Sequence, residues 1–80
     1  VDIDWEYPRA EDADNFVMAL KAIRKLLDVE NVNRKDRPYQ LTIAGAGGAF
    51  FLSRYYSHLV PMGEQLDYLN LMTYDFYGAW

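Results

Sequence analysis

The stretch VDIDWEYP, residues 1–8, places Asp2, Asp4 and Glu6 at every second position of an otherwise apolar run. An extended strand turns successive side chains to opposite faces, so these three carboxyls share one face and Val1, Ile3 and Trp5 the other. Adjacent members are separated by about 6.6 Å of strand rise. At about 5 Å and an effective dielectric near 20, two full negative charges repel by roughly 3 kcal/mol. The three groups are therefore expected to share protons and titrate as a set, and a carboxyl held protonated in this way suits general acid chemistry. A solvated edge strand with harmless surface acids is the plain alternative, weakened by Trp5, Tyr7 and Pro8 at the strand's end.

Working outward, the strand is expected to end near Glu6, with Pro8 as its stop. Asp12 or Asp14 is placed to cap a helix. Phe16, Leu20, Ile23 and Leu27 recur at helical spacing, with Ala19 and Leu26 beside them, while Lys21, Arg24 and Lys25 fall largely off that stripe. ENVNRKDRP, residues 30–38, reads as a polar loop. YQLTIAGAGG, residues 39–48, reads as a second strand running into glycines. Ser53 is placed to cap a short helix carrying Tyr55, Tyr56 and Leu59, broken or bent at Pro61 and Gly63. LDYLNLMTYDF, residues 66–76, reads as a third strand. Strands alternating with helices predict parallel pairing through right-handed crossovers, with all strand C-termini on one edge. That edge carries the site in such architectures, and it gathers Glu6, Gly47 and Asp75.

Other features bound the function. The chain has 80 residues, 51% of them hydrophobic, a net charge of −4 and no cysteine. Disulfides and thiolate-bound metals are excluded within it. The acidic balance speaks against nucleic acid or an anionic membrane as the main partner. The glycines at 45, 47 and 48 do not form a dinucleotide fingerprint, because Phe50 stands where a glycine is needed. Small residues there are expected instead to leave room for something bulky, and Phe50 and Phe51 to belong either to the core or to a ligand cleft. In LMTYDFYGAW, residues 71–80, Met72 and Tyr74 alternate to one face and Asp75 ends the strand, while Tyr77 and Trp80 offer flat apolar surfaces suited to sugar rings. His58 has no metal-ligand partner at useful spacing and reads as a surface histidine, so no metal site is expected.

DIDWEYP resembles the end of the DxxDxDxE signature of the family 18 glycoside hydrolases, the chitinases. LNLMTYDFYGAW resembles their sixth-strand motif. PYQLTIAGAGGAFFLSRYYSHL resembles the fifth strand and following segment of bacterial chitinases, especially the B type of enteric bacteria. The resemblance spans essentially the whole chain. It implies a partial (β/α)8 TIM barrel, about strands four to six with the intervening helices, in a segment internal to a longer secreted enzyme. The signature's first Asp falls before Val1.

The resemblance also implies roles. Glu6 is the general acid and base. Asp4 orients the substrate's acetamido group, and Asp2 shares a proton with Asp4. Tyr74 hydrogen-bonds the acetamido carbonyl, and Asp75 holds the sugar at the cleavage subsite. Tyr7 and Met72 line that subsite, Trp80 stacks on the leaving-group side, and Phe50 and Phe51 are further candidates for the same side. The implied partners are chitin and N-acetylglucosamine oligosaccharides, with no cofactor. A chitin-binding lectin on the same barrel and an endo-β-N-acetylglucosaminidase are the alternatives; the lectin is disfavoured because such relatives commonly lose the acid. The isolated 80 residues are expected to fold poorly and to lack activity.

Overall fold

The computed structural model of the chain describes residues 1–73. Along it lie strand β1 (Asp2–Ile3), helix α1 (Ala13–Asn31), strand β2 (Thr42–Ala46), helix α2 (Ala49–Leu52), helix α3 (Leu59–Gly63) and strand β3 (Tyr68–Met72). Single 3₁₀ turns at Ala10–Asp12 and Tyr56–His58 lead into α1 and α3. The strands form one sheet in the order β1-β2-β3, with both pairs parallel. The alternation expected from the sequence and the parallel crossovers are thus observed.

The ladder sets which residues share a face. Asp2 pairs with Thr42 and Thr42 with Tyr68, so these three form one cross-strand row. Ile3, Ile43 and Leu69 form the next row, on the opposite face. Ile43 is buried, and Ile3 packs against the same core cluster as Phe16 and Leu20 of α1. Trp5 meets the Phe16 ring edge-on, with centroids 5.2 Å apart. Ile3 and Trp5 therefore face the helix, as their alternation predicts, while Val1 is exposed. The paired strand is shorter than expected, however, ending at Ile3 rather than near Glu6. Among the described residues β1 has a ladder on one side only, against β2.

The buried positions of α1 are Ala13, Phe16, Val17 and Leu20, an i, i+3, i+4, i+7 set. Ile23 and Leu27 are partly buried against this core, while Ala19 and Leu26, expected beside the stripe, are exposed. Asp12 stands at the N-terminus of α1 without a side-chain capping bond to it. Its Oδ2 instead accepts from the Arg9 amide at 3.2 Å, closing the preceding 3₁₀ turn.

Arg24 departs from the reading of a basic residue off the packed face. Its side chain is only 16% exposed, and Nη1 donates to Asp67 Oδ2 at 2.9 Å. Its Nε lies 3.3 Å from Asp28 Oδ1, within ion-pair distance but without hydrogen-bond alignment. Asp67 Oδ2 also accepts the Leu41 amide at 2.8 Å, and the Asp67 amide donates to the Leu41 carbonyl at 2.8 Å. The start of β2, the start of β3 and the middle of α1 are thereby tied at one point. The polar loop is also ordered: Asn31 bonds both the amide and the carbonyl of Tyr39, and the Arg34 guanidinium lies 4.0 Å from that ring's centroid.

The segment after β2 is not one broken helix capped by Ser53. Ser53 ends α2, its hydroxyl donating to the Phe50 carbonyl at 2.8 Å. Pro61 stands at the third position of α3, where its missing N–H is one the helix would leave unpaired anyway.

Candidate functional site

Of the acids of the opening stretch, Asp2 begins β1, and Asp4 and Glu6 lie beyond its C-terminal end. Asp2 is on the strand, and its Oδ1 accepts from the Thr42 hydroxyl at 2.7 Å, directly across the ladder. Asp4 and Glu6 follow in chain order, and all three acids are exposed. The row Asp2, Thr42, Tyr68 lies on the sheet face turned away from the Ile3 and Ile43 contacts with α1. Asn70 and Met72 follow Tyr68 on that face by alternation; Asn70 is exposed and Met72 half-buried, opposite Ala46.

A second set of expected residues converges beside the acids. Tyr7 is half-buried, and its ring lies 4.7 Å from that of Phe51 at an interplanar angle of 35°. Phe51 in turn meets Phe50 edge-to-face at 5.0 Å and 85°. Phe50 is 73% exposed and Phe51 39%, so neither is core. They form an aromatic surface next to the residue that follows Glu6. Three site residues implied by the sequence, Tyr74, Asp75 and Trp80, lie outside the described residues, as does Tyr77.

The glycine reading needs correction at Gly45. A Cβ built there would meet Leu69 Cδ2 at 2.9 Å, so the missing side chain makes room for the neighbouring strand's leucine and not for a ligand. The adjoining strand end is held by Tyr55, whose buried hydroxyl oxygen accepts the Ala46 amide at 2.8 Å. His58 is not isolated. Its Nε2 lies 2.7 Å from Asp14 Oδ1 and its Nδ1 3.0 Å from Ser57 Oγ, joining the turn before α3 to the start of α1. Spacing alone could not reveal this, because Asp14 and His58 are 44 positions apart. Among the described residues no three acidic or imidazole side chains gather as metal donors. No helix among them is long and apolar enough to cross a membrane.

Asp67, just before β3, has its carboxyl held below the usual carboxylate range. The Leu41 amide is the largest cause; partial burial opposes it, and the Arg24 guanidinium adds to the lowering. This end joins elements, and the row Asp2, Thr42, Tyr68 lies directly next to it.

Comparison with known proteins adds a second line of observation. The family model described as glycosyl hydrolases family 18 matches residues 1–80. The chain is 61% identical to chitinase B of Serratia marcescens over 82 residues, covering all of this chain and 16% of that protein. It is 43% identical to endochitinase 1 of Metarhizium anisopliae, covering all of this chain and 19% of that one. Among solved structures, chitinase ChiW of Paenibacillus sp. str. FPU-7 superposes with a TM-score of 0.83 at 37% identity, over 99% of this chain and 8% of that one. The chain thus spans less than a fifth of the length of these relatives.

Proposed function

This chain belongs to the family 18 glycosyl hydrolases, and from that membership we propose that it is the acid-bearing part of a chitinase barrel, about strands four to six. The substrate is β-1,4-linked N-acetylglucosamine, and the enzyme is secreted. The observation that carries this reading is the acid row itself. Asp2 sits on the sheet face away from α1, Asp4 and Glu6 continue past the strand's C-terminal end, and the Tyr7–Phe51 contact adjoins them. In a parallel α/β barrel the C-terminal rim and the inward face are where reacting groups are displayed.

The chemistry follows from those groups. Glu6, protonated, gives its proton to the glycosidic oxygen as the bond to the leaving sugar breaks. The substrate's own acetamido oxygen attacks the anomeric carbon, so no protein nucleophile is required; this is the substrate-assisted exception among retaining glycosidases. Asp4 orients the acetamido group and its negative charge offsets the positive oxazolinium ring that forms. Asp2 shares a proton with Asp4, and the Thr42 hydroxyl holds Asp2 from across the ladder. Glu6 then takes a proton from water, which opens the ring and restores the acid. Tyr74 and Asp75 complete the grip on the acetamido group and the sugar. Tyr7 and Met72 line the cleavage subsite, and Trp80, Phe50 and Phe51 receive the leaving-group side. No cofactor enters any step.

The test is Glu6→Gln in the full-length protein that carries this segment. Turnover of chitin oligosaccharides is expected to fall by about 10²- to 10⁴-fold, the usual range for a lost general acid, while calorimetric binding of the same oligosaccharide persists. Near-normal hydrolysis by the variant would refute the assignment. Binding without hydrolysis by the unsubstituted protein would point to a lectin of the same family.

A further inference from the structure

Arg54 follows Phe51 by three positions and Phe50 by four, spacings that bring side chains together around a helical turn. Its guanidinium carbon lies 4.8 Å from the Phe51 ring centroid and 5.4 Å from that of Phe50. Both distances are within the roughly 6 Å over which a cation is drawn to an aromatic face. The need for such a contact is plain from the local fold. Helix α2 is only four residues long, and its two phenylalanines are exposed, so no core fixes their rotamers. Arg54 itself is half-buried. On the far side, Phe51 rests on Tyr7.

We infer that Arg54 is a positioning residue: its guanidinium clamps Phe50 and Phe51 against Tyr7 as one flat apolar shelf for the leaving-group sugars. The inference rests on the chitinase reading proposed above. An arginine suits the task because its planar, weakly hydrated head stacks on rings while remaining charged. Arg54 touches no reacting atom in this scheme, so it governs affinity for long substrates and leaves the bond-breaking step to Glu6 and the aspartates.

The experiment uses the full-length protein with Arg54→Met, which keeps apolar bulk and removes the charge, and Arg54→Lys, which keeps the charge without the plane. With a long chitin oligosaccharide, Arg54→Met is expected to raise KM about fivefold, the size of one half-exposed cation–π contact, with kcat within about twofold. KM for a short aryl glycoside that does not reach the shelf stays unchanged, and Arg54→Lys falls between wild type and Arg54→Met. A second measurement is independent of catalysis. With 4-fluorophenylalanine placed at Phe51, the fluorine resonance shifts or broadens in Arg54→Met and returns towards its position in Arg54→Lys. An unchanged KM for the long substrate, an equal loss on both substrates, or an unmoved fluorine line overturns the clamp. Absence of hydrolysis by the unsubstituted protein would sink the chitinase reading instead, and the fluorine line would still decide whether Arg54 holds the rings.

Discussion

Single side chains decide several of the packing choices in this chain. Gly45 is one, because its bare Cα is what lets Leu69 lie across β2. Gly45→Ala would press on the far end of a flexible side chain that is itself 37% exposed, so a cost of only about 1 kcal/mol is expected. Gly45→Val adds two branches to the same space and is expected to cost about 3 kcal/mol. Thermal unfolding of the full-length protein should rank the variants in that order, and equal melting temperatures for all three would show that Leu69 does not need the gap. Tyr55 acts by a different means. Its hydroxyl oxygen accepts the buried Ala46 amide at the end of β2. Tyr55→Phe leaves that amide unsatisfied and is expected to destabilise by about 1–3 kcal/mol. A wild-type melting temperature would mean that water takes the hydroxyl's place. The place of Asp2 on the face away from α1 was legible at this scale, because alternation in a strand is a strict rule. The roles of Gly45 and Arg54 were not, because each depends on a neighbour's position across the fold or on the geometry of a short turn.

At the scale of elements, the three strands, the first helix and the parallel order follow from periodicity, and the structure agrees. Periodicity failed where elements are short. The segment between β2 and β3 is α2, a 3₁₀ turn and α3, each too brief for a helical repeat to stand out. It also failed for Arg24, whose position on the helical wheel gave no hint of Asp67, 43 residues away. The tie among Arg24, Asp67 and Leu41 has a definite pH signature. Asp67 has a lowered pKa in the fold, so its contribution to stability is present above the unfolded value of about 3.9 and fades as pH falls through the folded one. Asp67→Asn is expected to destabilise by about 1 kcal/mol at neutral pH, a figure kept low because the Asp67 side chain is 37% exposed. Denaturant unfolding of wild type and variant should show that gap at pH 6 to 7, shrinking below about pH 4. A gap that stays constant into acid would assign the effect to shape and not to charge.

For the molecule as a whole, helices pack on one face of the sheet while β1 and β3 each keep one unpaired edge among the described residues. Tyr68 and Leu71 of β3 are more than half exposed. A sheet with two open edges and an exposed β3 lacks the closed core that a barrel provides. The isolated 80 residues are therefore expected to show no cooperative melting by circular dichroism and to associate as concentration rises. A sharp, concentration-independent transition would contradict this. The Arg24–Asp67–Leu41 tie has one more consequence. It fastens the N-terminal ends of β2 and β3, one row from Asp2, while the aromatic shelf follows the C-terminal end of β2. Mutations that remodel the loop after β2 leave this keel intact, so that region can change shape without loosening the strands' other ends.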